Sequence, residues 1–102
     1  MSKGLYRMVG MKYRPENAQK LASALTAGAE VTLTREPKND YDPNAIQVRV
    51  NGLCVGFIEG RKNRGLALHI DQHGAPPEGD EPGPKMKAKF ANQSWPAIEV
   101  ET

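Results

Sequence analysis

The sequence predicts a mainly β protein with two short helices, in which about six short antiparallel strands form a small barrel or a strongly bent sheet. Three observations carry that class. Asn51-Gly52 lies between apolar, β-branched runs, and a type I′ hairpin turn needs positive φ at both central positions. Residues 29–35, 86–90 and 96–100 place apolar side chains at every second position, the period of a half-buried strand. Gly10 interrupts the first apolar run, where an interior glycine marks a bend or a close backbone approach.

Taken in order, residues 5–13 read as a strand that bends near Gly10. Pro15 at a first helical position, Glu16 in the first turn, a stripe of Ala18, Leu21, Ala22 and Leu25, and Gly28 beyond the end predict a short amphipathic helix. A strand over 29–35 follows, with Val31 and Leu33 inward. The two-residue turn then sets Val50 opposite Leu53, Val48 opposite Val55 and Ile46 opposite Phe57, all six on one face. Gln47, Arg49, Cys54 and Gly56 fall on the other. Leu66, Ile70 and His73 recur at helical spacing, so residues 66–73 predict a second helix stopped by Gly74. Residues 86–90 and 96–100 complete the strands, with Asn92-Gln93-Ser94 as their turn and Trp95 at the rim or free to stack. Between helix and strand, 75–84 holds four prolines and three acids, an acidic loop rather than core.

A chain of 102 residues is expected to form one domain, 1–102, with a single modest core. Lys and Arg number 14 against 12 for Asp and Glu, too even a balance to argue for nucleic acid by itself. Distribution says more: Lys3, Arg7, Lys12, Arg14 and Lys20 crowd the first twenty residues, with Glu16 as their only acid. One cysteine cannot make an internal disulfide, and no apolar run is long enough for a signal peptide or a membrane span. A soluble cytoplasmic protein without membrane contact is the expectation.

Three clusters carry chemistry. Lys12, Tyr13 and Arg14 put cations beside a ring at a strand end, the combination that phosphate neutralisation and base stacking require together. The loop Asn39-Asp40-Tyr41-Asp42-Pro43-Asn44 has turn-forming reasons for its prolines, Asn and Asp, but not for a large amphipathic ring at Tyr41. Arg61, Lys62 and Arg64 open the second helix, where they are either a solvated face or, with free backbone amides, an anion site. His69 and His73, four apart, could bind one metal from one helix face, with Cys54 or Asp71. They lack a second Cys or a His-Glu-x-x-His pattern, so no cofactor is expected and zinc is disfavoured.

Arg35-Glu36-Pro37, Asn39, Tyr41-Asp42-Pro43-Asn44-Ala45-Ile46-Gln47-Val48 and Val55-Gly56, with the upstream Gly10-Met11-Lys12-Tyr13, resemble the core signature of the HIRAN domain, over roughly residues 5–75. That family is similar to OB-folds, which implies an OB-like barrel. It also implies a module that reads single-stranded DNA ends, in the best-understood case the 3′ hydroxyl, in DNA repair or replication-fork processing. Carried over, Tyr13 and Tyr41 would stack on terminal bases, Lys12 would take a phosphate, and Asp42 would accept a hydrogen bond from the terminal hydroxyl. Lys12 replaces an Arg, which removes bidentate phosphate contacts. Gly60 stands where the best-known member has a Lys, with Arg61 or Lys62 as substitutes, and Phe57, where that member has a His, is sent to the core by the hairpin register.

The chain carries no helicase or ATPase motif, so a non-enzymatic role is expected, with a helicase or nuclease partner using the bound end. Other classes compete. Glu36, Asp40, Asp42 and a histidine could serve a metal-dependent nuclease, Tyr41 and Trp95 could contact a protein, and the nucleic acid could be RNA or an internal single strand.

Overall fold

The computed structural model describes residues 3–72, 87–92 and 96–101. The acidic loop 75–84, His73 and Trp95 lie outside the described residues. The elements are β1 (Lys3–Val9), a single 3-10 turn (Met11–Tyr13), α1 (Glu16–Ser23), β2 (Thr32–Arg35), β3 (Ile46–Val50), β4 (Leu53–Ile58), α2 (Asn63–Gln72), β5 (Lys87–Asn92) and β6 (Pro96–Glu101). The six strands form one antiparallel sheet in the order β2-β3-β4-β1-β6-β5.

The sheet curls until its ends meet. Phe90 on β5 exchanges backbone hydrogen bonds with residues 28 and 29, and the Val31 amide donates to the Ala88 carbonyl, so the segment leading into β2 covers the β5 edge. Inside lie Leu33, Ile46, Val48, Val55, Ile58, Phe90, Ile98 and Val100, with Ala18 of α1 and Leu66, Ala67 and Ile70 of α2 closing the core. Both helices are therefore plugs on a curled sheet, the architecture expected from the strand count and the two apolar stripes.

Several boundaries differ from expectation, among them the starts of β2, at Thr32 rather than Ala29, and of α2, at Asn63 rather than Leu66. The first strand stops at Val9, because Gly10 adopts φ 80° and turns the chain into the 3-10 turn, closed by hydrogen bonds from the Tyr13 amide to Gly10 and from the Arg14 amide to Met11. Pro15 caps α1 in extended conformation instead of starting it, and the helix ends at Ser23. Gly28, at φ 90°, begins the pairing with β5 and so belongs to the sheet closure rather than to the helix end.

The hairpin turn forms as expected, with Asn51 at φ 52° and Gly52 at φ 78°. Val50 pairs with Leu53 and Arg49 with Cys54, but the register then steps: Val48 faces Gly56 and Gln47 faces Phe57. Val55 is the extra residue of a β-bulge, and the expected six-residue face is corrected beyond it. Ile58 takes the core position expected for Phe57, while Phe57 is half-buried and pairs with Val9.

Gly56 explains why the step falls there. A Cβ at Gly56 would lie 2.8 Å from Met8 Cγ and 3.0 Å from the Val9 carbonyl oxygen, so β1 approaches β4 more closely than a side chain allows. Gly56→Ala should therefore destabilise by about 1–3 kcal/mol, read as a lower urea midpoint at constant m; an unchanged midpoint would show that β1 can move away without cost.

Candidate nucleic-acid interface

The loop between β2 and β3 is built from its own side chains. The Glu36 amide donates to the Ala45 carbonyl at its base, and Asn39 Oδ1 accepts from the amides of both Tyr41 and Asp42 at 2.9 Å. Asn39 Nδ2 donates to Glu36 Oε1, and Gln47 Nε2 to Glu36 Oε2. Asn39 is thus a scaffold for the two residues that follow it. Tyr41, between these fixed points, is 97% exposed. A ring so displayed on so ordered a backbone contributes nothing to the core and is available to stack.

Below the loop, Arg35 is its anchor. Its side chain is 5% exposed and donates to the carbonyls of Ala45 at 2.8 Å and Pro43 at 2.9 Å, and to Asp71 of α2 at 3.0 Å. Arg35, six residues before Tyr41, is buried, and it ties the loop to α2. Asp71, weighed as a metal ligand, is its partner.

Asp42 links the loop to the start of α2. Its Oδ1 accepts from the Asn44 amide at 2.9 Å and its Oδ2 from Asn63 Nδ2 at 2.7 Å. Asn63, the first residue of α2, is buried. Gly60 passes so near that a Cβ there would lie 3.7 Å from Asp42 Oδ2. The chain thus sets its own carboxylate beside the α2 N-terminus, where the helix dipole favours it. Arg61 and Lys62, both exposed, follow Gly60 directly, and among the described residues neither makes an ion pair. Asn63→Ala should remove the buried amide and loosen Asp42, lowering stability by about 1–2 kcal/mol; thermal unfolding within experimental error of the parent would show that water replaces the contact.

On the other side, Tyr13 is 78% exposed at the end of the 3-10 turn, and Lys12 Nζ lies 5.1 Å from its ring centre. Gln19 of α1 fastens this turn by donating to the carbonyls of Lys12 and Arg14. Arg14 differs from its neighbours: its Nε donates to the Cys54 carbonyl at 3.0 Å, and its side chain is half-buried against β4. Phe57 lies against the start of this turn, with its ring 3.6 Å from the position a Cβ on Gly10 would take. Phe57 and Asn63 are the site residues that sequence reasoning missed. Gly56, a glycine within a strand, was the available signal for the first; the second has only its place before a helix.

Lys12 and Arg61 also line one open groove of about 940 Å³, bounded by the end of β1, α1, the β4–α2 connection and β5. Burial pushes the Cys54 thiol up, against the lowering effect of Arg14 and Arg49. Among the described residues no three His, Cys, Asp or Glu side chains gather to hold a metal ion, and no described helix is long and apolar enough to cross a membrane.

A small curled antiparallel sheet that displays two tyrosines, cations and a braced carboxylate on its connections defines an OB-like module of the binding type. The chain belongs to the HIRAN domain family, a family of nucleic-acid-binding modules, whose model matches residues 4–86. The structure is similar to that of the HIRAN domain of human HLTF, with a TM-score of 0.69 and 23% identity over 98% of this chain and 74% of that one. A protein from Lactobacillus plantarum is similarly related, with a TM-score of 0.68 and 21% identity over 99% of this chain and 100% of its own. No curated protein sequence matches the chain.

Proposed function

We propose that this chain binds single-stranded DNA and reads its 3′-hydroxyl end, without catalysing a reaction of its own. The observation that carries the reading is the Asp42 carboxylate, held by Asn44 and Asn63 next in sequence to the exposed Tyr41 and close to Gly60, which the exposed cations Arg61 and Lys62 follow. Cations and rings bind any single strand through phosphates and base faces. A carboxylate among them repels an internal phosphodiester and accepts a hydrogen bond from a terminal hydroxyl. Its lone pairs suffice for this, since Asn44 and Asn63 occupy one site on each oxygen.

In this reading Tyr13 and Tyr41 stack on the terminal bases, Lys12 with Arg61 or Lys62 takes phosphates, and Asn39 positions the loop. Arg14 shapes the Tyr13 turn from below. A helicase or nuclease that processes DNA ends in repair or at replication forks is the partner such a module would serve.

Fluorescence anisotropy at low salt tests the reading with four single strands: a free 3′ hydroxyl, a 3′-dideoxy end, a 3′ phosphate and a closed circle. The expected result is tight binding of the first alone, with Asp42→Ala levelling the preference. Equal binding of all four would leave a strand binder without end recognition, and no binding would remove DNA as the ligand.

A further inference from the structure

The groove beside the end site has a chemistry that the end site does not use. Its wall carries three cations, Arg7, Lys12 and Arg61, against one carboxylate, Glu59, whose Oε2 accepts the Arg7 amide at 2.8 Å. Its apolar lining is Val9, exposed, with Met11, Ala22 and Pro96 half-buried, over the buried Met8 and Phe90. Cations above an apolar floor suit a ligand that is anionic along one edge and flat and apolar along the other. A single strand has that form, and an inorganic anion or an aliphatic chain does not.

Lys12 and Arg61 belong to both the groove and the end site. Lys12 is joined to Tyr13, while Arg61 follows the Gly60 that adjoins Asp42. We propose that the groove is the track of the DNA strand, holding the nucleotides immediately 5′ of the terminal ones, with their phosphates on Lys12 and Arg61 and their bases against Val9 and Met11. This rests on the end-binding reading and extends it from a terminal pocket to a site several nucleotides long. Ser23, exposed at the last position of α1, also lines the groove, one helical turn beyond the Gln19 that holds the Lys12 carbonyl.

The test is competition binding with oligonucleotides that share one free 3′-terminal dinucleotide and range from that dinucleotide to about ten nucleotides. Affinity is expected to rise to about six nucleotides and then level off. Arg61→Gln should weaken the longest strand by about three- to tenfold and lower its salt slope by about 0.7. Ser23→Glu, at a residue outside the end site, should weaken the longest strand by a similar factor with less than about a twofold effect on the dinucleotide.

A dinucleotide that binds as tightly as the longest strand overturns the track and keeps the end site. Equal losses for short and long strands in Ser23→Glu overturn it too. Length dependence with equal binding of a closed circle supports the track and removes the end site, and no binding of any length overturns both.

Discussion

Arg35→Met should lower stability by about 2–3 kcal/mol, a drop in Tm of roughly 10–20 °C for a chain of this size. The side chain is buried, and methionine fills similar space without its donors. Pro43 then loses its donor to the carbonyl oxygen, and Ala45 keeps only the bond from Glu36. Arg35→Lys should recover less than half, because one ammonium cannot reproduce a planar fork that reaches two carbonyls and a carboxylate. Asp71→Asn should cost under about 1 kcal/mol, since that side chain is 52% exposed and the ion pair is screened. Urea unfolding of the three variants separates the contributions. A Met variant within about 0.5 kcal/mol of the parent would show that the loop holds its shape without the anchor.

That ordering of effects bears on what the chain disclosed before its structure was known. Arginine is mostly an exposed residue, so nothing in the sequence around Arg35 points to its burial. Its burial depends on α2 bringing Asp71 to it from 36 positions away, and no local pattern encodes that. Asp42 and Asn63, 21 apart, meet for the same kind of reason. Local features were legible: the Asn51-Gly52 turn, the bend at Gly10, the apolar stripe of α1 and the alternation of β5 and β6 each follow from residues in contact along the chain.

The hairpin shows where local reasoning stops. Turn chemistry fixes Val50 against Leu53, yet the register beyond Val48 is set by β1, a third strand, pressing Met8 against Gly56. One inserted residue turned Phe57 from the core toward Gly10, beside the candidate site from which its expected register had excluded it. A glycine inside an otherwise regular strand is the place to expect such a step.

Tyr13 and Tyr41 should carry most of the affinity and almost none of the stability. Each ring, if it stacks on a base, contributes about 1–3 kcal/mol to binding, so the double variant Tyr13→Ala, Tyr41→Ala should weaken single-stranded DNA binding by roughly a hundredfold or more. With 78% and 97% of these residues exposed, their removal should leave Tm within about 3 °C of the parent. Phenylalanine at either position should retain most of the affinity, because stacking needs the ring and not the hydroxyl. Lys12→Ala should act differently, reducing the salt slope by about 0.7. Retained affinity in the double alanine variant would assign binding to the cations alone. An alanine variant that also unfolds early would instead give the rings a packing role that their exposure argues against.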